Sequence, residues 1–212
     1  MRRRHFLTIS TSAIGGAIIS TIGAQDGTFK VPLRFFTRDE ALDVAAAASR
    51  IFPSDATGPG ANEAGVVIYI DRQLAGPYGR DVHRYTQPPF ESGPPELGYQ
   101  GSESPAQIYR TGLKQIGGLR NLDTTRQDAV LKQIEKTLFF QLLRTHTIEG
   151  MFCDPVHGGN AGMIGWQLIG FPGPRMSYSD EVEAYNGRPF RPKPRSLRQI
   201  SGHATTPSED ES

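Results

Sequence analysis

Few side chains in this 212-residue sequence have the types and spacing that an active site requires. The sequence contains no Gly-x-Ser-x-Gly nucleophile motif, no Gly-Lys-Ser/Thr phosphate loop and no Gly-x-Gly-x-x-Gly dinucleotide motif. Gly58-Pro59-Gly60 is rich in glycine, but no lysine follows it to bind a phosphate. The sequence therefore predicts none of these three kinds of site.

The titratable residues offer weaker candidates. His146 and Glu149 form a His-x-x-Glu step, but a metal site needs more ligands than these two, so exposed polar side chains are the better interpretation. A pair of carboxylates could act as general acid and base, although carboxylates near helix starts are more often caps. The carboxylates in question are Asp55, Glu63, Asp71 and Asp154.

Cys153 is the only cysteine. In an exported protein a single cysteine indicates an intermolecular disulfide or a free thiol. A buried cysteine that packs as a small hydrophobic side chain is equally compatible with the composition.

Helix-start signals predict the elements that must position these residues. Thr37 and Glu40 form a capping box, and Ser104-Pro105 is a cap followed by proline at the first helical position. Asn62 predicts the start of another helix, although the β-branched run 66–70 leaves a strand open. Asp123 opens an apolar repeat that is one helix or two, with a joint near Thr137.

Loops separate these helices. Pro53 ends the first helix, Gly117-Gly118 is predicted to end the one after Ser104, and loop character returns from Glu149 onward. Residues 76–103 form a long Gly/Pro-rich loop. The predicted fold is mostly α: a small helical domain with long Gly/Pro-rich loops.

The composition argues against nucleic-acid binding. Lysine and arginine number 23 and aspartate and glutamate 22, so no strongly basic face is expected. The region from 179 to 212 lacks an apolar period and carries basic residues among prolines before an acidic end. It is predicted to be a tail that is disordered or docks on a partner.

Residues 1–24 predict a secretory signal. A basic start precedes a diluted apolar stretch that is too short for a membrane-spanning helix, and a small-residue exit follows at Gly23-Ala24. Arg3 and Arg4 followed by Phe6 and Leu7 resemble the twin-arginine motif, which exports folded proteins. An ordinary secretory signal and an uncleaved anchor are the alternatives.

The segment 149–173 carries an unusual apolar load for a glycine-rich loop. Its glycines permit tight turns, and aromatic residues lie between them. Such side chains either complete the core of the chain or face a partner. The members of this segment considered as candidates for a partner interface are Phe152, Cys153, Asp154, His157, Asn160, Trp166 and Phe171.

These motifs resemble the gluconate 2-dehydrogenase subunit 3 family. The resemblance rests on Glu-Gly-Met-Phe-Cys-Asp-Pro-Val-His-Gly-Gly-Asn from Glu149 and on Gly-Trp-Gln-Leu-Ile-Gly-Phe-Pro-Gly from Gly165. The run from Arg50 to Asp55, the glycine-rich stretch 58–65 and the stretch 69–79 extend it. It covers residues 35–178, the predicted helical domain.

The resemblance implies a small, non-catalytic accessory subunit that binds no cofactor of its own. Its partner would be a large FAD-binding subunit of the glucose–methanol–choline type that oxidises gluconate or another sugar, with a multihaem cytochrome c as the usual electron acceptor. The twin-arginine signal would then carry the folded complex to the periplasm, where the complex associates with the membrane. Cys153 would form a disulfide to the large subunit, or remain a buried thiol.

Two other functions stay open at this point. One is a stand-alone periplasmic enzyme that uses the acidic loops Asp55–Glu63 and Asp154–Asn160. The other is a general binding or scaffolding module.

Overall fold

Eight α-helices joined by long loops make up most of the regular structure in the part of the chain that the structure describes. This computed structural model describes residues 29, 31–91, 93–175, 177–189 and 192–201, and its described residues contain no strand longer than an isolated bridge. The mostly α prediction is confirmed, whereas the signal residues 1–24 lie outside the described ranges. The helices are α1 (Arg38–Ile51), α2 (Val66–Ala75), α3 (Pro105–Leu113), α4 (Thr124–Ile134), α5 (Leu138–Phe152), α6 (Ile164–Ile169), α7 (Ser179–Ala184) and α8 (Leu197–Ser201).

Side-chain caps fix several helix starts as predicted. The Thr37 hydroxyl accepts the Glu40 N–H, and the Glu40 carboxylate accepts the Thr37 N–H at 2.8 Å. Ser104 and Gln107 form the same reciprocal pair at the start of α3. Each box satisfies N–H groups that the first helical turn leaves without partners.

The pattern after Asp123 is two helices. Thr137 lies at the joint, where its hydroxyl accepts the Phe140 N–H and caps α5. A separate side-chain cap at this position explains why α4 and α5 do not merge into one helix.

Three predicted boundaries were wrong. Asn62 does not cap α2, which begins at Val66 after Gly65 adopts a left-handed backbone with φ of 69°. The helix after Ser104 ends at Leu113 rather than at the Gly117-Gly118 pair. Residues from Glu149 are not yet loop, because α5 continues to Phe152.

The core forms where α2 packs against both α1 and α5, and α3 packs against α5. Val44, Ile70 and Leu143 are fully buried there. Gly112 permits the close approach of α3 to α5, since a β carbon at this position would overlap the Phe139 ring. Burial of this set of apolar side chains is the main stabilising contribution to the fold.

Two buried carboxylates hold backbone segments against the core. Asp71 in α2 accepts the N–H groups of three successive residues, 34–36, at 2.8–2.9 Å. Asp43 in α1 accepts the N–H groups of Gly118 and Arg120 and also pairs with the Arg120 guanidinium. Both carboxylates are therefore used to fix loops, and their hydrogen bonds offset the cost of burying charge.

His146 lies in the core between two tyrosines, a cluster that the sequence did not indicate. Its Nε2 lies 2.8 Å from the Tyr78 hydroxyl and its Nδ1 lies 2.8 Å from the Tyr109 hydroxyl, so both ring nitrogens have partners. The side chain is 2% exposed, and burial lowers its pKa to about 4. The expectation that His146 is an exposed polar residue was wrong.

We expect His146 to make stability depend on pH. Its pKa in the folded state lies below the ordinary value of 6.5, so the unfolded state takes up a proton first as the pH falls. The contribution is complete above pH 6.5 and is lost progressively down to pH 4, by roughly 3 kcal/mol in total. Urea unfolding of the wild type and of His146→Gln across this range measures it, and equal slopes for the two proteins would contradict the assignment.

Candidate functional site

The motif segment 149–173 folds back over the C-terminal end of α5. The last carbonyl groups of any helix lack partners within the helix. Here Asn160 donates hydrogen bonds to two carbonyl groups at the end of α5. Its backbone N–H donates to Gly150 O at 2.7 Å, and its side-chain amide nitrogen donates to Cys153 O at 2.9 Å. The indole N–H of Trp166 donates to Phe152 O at 2.7 Å. The motif thus terminates α5 and fixes its own path.

Glycines permit this close approach. A β carbon at Gly159 would overlap the Gly150 carbonyl oxygen, and one at Gly165 would overlap that of Met151. The Gly165 N–H in turn donates to Oδ1 of Asn160 at 2.8 Å. Asn160 itself has a φ of 46°, a conformation that asparagine tolerates better than most residues. The residue types in the pattern Gly-Gly-Asn…Gly-Trp are therefore required by the geometry of this turn.

The candidates for a partner interface divide by burial. Asn160 and Trp166 are buried, with Trp166 only 3% exposed, whereas His157 and Phe171 are exposed. Phe152, Cys153 and Asp154 are half-buried. Their roles at an interface stay predictions.

Exposed aliphatic side chains accompany Phe171, and which ones are exposed could not be predicted from the sequence. Ile169 is 59% exposed, far more than a side chain of the core. We call the exposed apolar side chains of this segment, together with Leu197 of the C-terminal region that contacts it, the motif face: Val156, Leu168, Ile169, Phe171 and Leu197. Exposed apolar groups collected on adjoining segments are typical of interaction surfaces.

Part of the C-terminal region lies against this face. Arg195 N–H donates to Pro172 O at 3.1 Å, and Leu197 N–H donates to the Asp154 carboxylate at 2.8 Å. A groove of about 500 Å³ remains between α6 and this region. Its lining residues are Met163, Trp166, Gln167, Gly170, Phe171, Pro192, Lys193 and Pro194. Residues 192–201 therefore contact their own domain. That the tail is disordered or docks on a partner stays a prediction.

A backbone hydrogen bond joins the residues that directly follow the two acidic loops, and the first loop also contacts the Leu168 side chain. Ala161 N–H donates to Ala64 O at 2.9 Å, and a β carbon at Gly58 would lie 2.7 Å from Leu168 Cδ1. Their carboxylates, however, each bind backbone N–H groups: Asp55 binds that of Thr57, Glu63 that of Gly60, and Asp154 those of Val156 and the distant Leu197. The carboxylates thus act as caps and turn partners.

The described ranges also contain no cluster of three or more histidine, cysteine, aspartate or glutamate side chains placed to hold a metal ion. Within the same ranges no helix has both the length and the apolar character needed to cross a membrane.

Cys153 follows directly after α5 and is half-buried. Its Sγ lies 3.7 Å from Gly150 O. Burial raises the pKa of the thiol to about 11. A high thiol pKa is typical of an unreactive, structural cysteine, and the disulfide to a partner stays a prediction.

Asn160→Ala should lower the free energy of unfolding by about 3 kcal/mol, since it removes two buried hydrogen bonds and places alanine at a positive φ. Chemical denaturation measures this change. Asn62→Ala is the matched control because Asn62 is exposed, and it should change stability by less than about 0.5 kcal/mol. Equal effects of the two substitutions would contradict the role of Asn160.

Alkylation of Cys153 by iodoacetamide at pH 8 should be about 100-fold slower in the folded protein than in urea, because the raised pKa reduces the thiolate fraction by about that factor. Mass spectrometry of timed samples gives both rates. A folded-state rate equal to the unfolded one would show that the thiol is accessible and ionised.

Comparison with known proteins agrees with this organisation of the chain. A search of curated proteins and a search of solved structures each found no match. The family described as gluconate 2-dehydrogenase subunit 3 matches residues 38–173, which run from the start of α1 to the end of the motif segment. The chain belongs to the gluconate 2-dehydrogenase subunit 3 family.

Proposed function

We propose that this chain is the accessory subunit of a periplasmic flavin-dependent dehydrogenase that oxidises gluconate or a related sugar. It binds a large catalytic subunit of the glucose–methanol–choline type, supports its folding and assembly, and carries the folded complex out of the cytoplasm through its twin-arginine signal. A multihaem cytochrome c receives the electrons.

The observation that carries the proposal is the motif face. The motif segment builds a turn whose buried members, Asn160 and Trp166, are fixed by hydrogen bonds and are followed by exposed Ile169 and Phe171. Rigid apolar side chains lose little conformational freedom on binding, which favours their use in a protein interface. We assign the docking of the catalytic subunit to this face.

The chemistry is assigned to the partner. The carboxylates of the loops Asp55–Glu63 and Asp154–Asn160 bind backbone N–H groups, which disfavours a role as acid and base in a stand-alone enzyme. The sequence has no dinucleotide motif for FAD. Under this proposal the large subunit binds FAD, which supplies the oxidation of the sugar.

Co-expression with the neighbouring flavoprotein reading frame tests this function. The two chains should purify together, and only the complex should oxidise gluconate or another sugar with an artificial electron acceptor. Oxidation by this chain alone, or failure of the two chains to purify together, would contradict the proposal. Non-reducing electrophoresis of the same complex reports whether Cys153 joins the chains.

Two substitutions locate the interface within that experiment. Ile169→Asp should reduce recovery of the large subunit at least tenfold, because it places a charge in the apolar contact. Val82→Asp is the matched control, since Val82 is similarly exposed at 54% but lies outside the motif face. Equal recovery with both variants would place the interface elsewhere.

A separate experiment tests export. Changing Arg3 and Arg4 to lysine should leave the complex in the cytoplasm, as fractionation would show. Export of this variant at the wild-type level would contradict the twin-arginine route.

A further inference from the structure

One stretch of the C-terminal region carries charge of a single sign, although acidic residues precede it at Glu183 and follow it at Glu209. From residue 184 to residue 208 the sequence contains five lysine and arginine side chains and no acidic ones, whereas the rest of the chain carries 18 basic and 22 acidic side chains. We call residues 192–198 of this region the basic strap, which carries Lys193, Arg195 and Arg198. All three side chains are exposed.

Specific contacts fix the strap beside the motif face. Its backbone donates to Pro172 O from Arg195 and to the Asp154 carboxylate from Leu197, and Ser196 between them is buried. Gly173 has a φ of 87°, and a β carbon there would overlap the Arg195 carbonyl oxygen. The path of the strap is therefore built into the fold.

This placement puts positive charge at the border of the apolar surface. Lys193 lines the same groove as Trp166 and Phe171. Within the described ranges none of the three basic side chains of the strap forms an ion pair, although arginines elsewhere in the domain pair with carboxylates, as Arg50 does with Asp128. Unpaired charge at the edge of a groove lined by aromatic side chains resembles the polar rim of a protein interface.

We propose that the basic strap is the electrostatic rim of the docking site and that the complementary surface of the catalytic subunit is acidic around an apolar centre. Complementary charge of this kind accelerates association and fixes orientation more than it adds affinity. The inference rests on the proposed function, since it takes the catalytic subunit as the partner. The chain belongs to a family described as a dehydrogenase subunit, which favours a protein surface over a membrane surface as the partner of the strap.

Reversal of the strap's charge tests this proposal. The variant Lys193→Glu/Arg195→Glu/Arg198→Glu should associate with the separately purified large subunit at least tenfold more slowly than the wild type at 25 mM salt. At 300 mM salt the two rates should approach each other, because salt screens exposed charges. Stopped-flow or surface-binding kinetics give the association rate constants.

The matched control changes the charge by the same amount on α4. Arg126→Glu/Lys132→Glu/Lys136→Glu alters three exposed basic residues on or just after a helix that packs against α1 and α5, and its association rate should stay within twofold of the wild type. Trp166, the only tryptophan, reports by its fluorescence whether the reversed strap remains docked. Acrylamide quenching should be unchanged in both variants.

The outcomes separate the two proposals. If the wild type binds the large subunit but strap reversal leaves the rate and its salt dependence unchanged, the strap inference fails and the proposed function stands. If the wild type does not bind, the proposed function fails. Strap-dependent binding to phosphatidylglycerol vesicles, with no rate effect on the large subunit, would overturn the inference in favour of a membrane surface.

Discussion

The end of α5 is the constraint on which the functional surface depends. Three carbonyl groups, those of Gly150, Phe152 and Cys153, would lack partners in a buried helix end, and the motif supplies partners for all three. Because Asn160 and Trp166 donate from fixed positions, the intervening backbone has little freedom. The exposed side chains that follow are consequently held in place by hydrogen bonds formed in the interior, and a requirement of helix termination becomes a means of positioning an interface.

The acidic residues also serve the architecture of the chain. A sequence with Asp55, Glu63, Asp71 and Asp154 in loops and near helix starts suggests acid–base chemistry, yet each carboxylate binds backbone N–H groups. Carboxylates occupied by backbone N–H groups in this way are typical of caps and turns. The chain uses its charged groups for architecture, in keeping with a subunit that leaves the chemistry to a partner.

Local signals made part of this structure predictable from the sequence. The boxes at Thr37 and Ser104 depend on residues three apart, so the sequence suffices to place them. The start of α2 could not be placed in this way, because Gly65 precedes it in a left-handed conformation and no side chain caps the helix. The position of His146 between Tyr78 and Tyr109 could not be predicted, since the two tyrosines are 68 and 37 residues from it in the sequence. The apolar content of the motif was evident, but its division into buried Trp166 and exposed Ile169 follows only from the turn geometry.

The contact between Asp154 and Leu197 has a consequence for proteolysis. The residues before the strap, 185–189, are exposed and carry no helix, which is where proteases cut most readily. After such a cut the peptide bond would no longer join the strap to its domain, and noncovalent contacts such as the hydrogen bonds at Asp154 and Pro172 and the packing around Ser196 would hold it. A nicked molecule could therefore migrate as intact protein on a native gel while separating into two fragments in detergent.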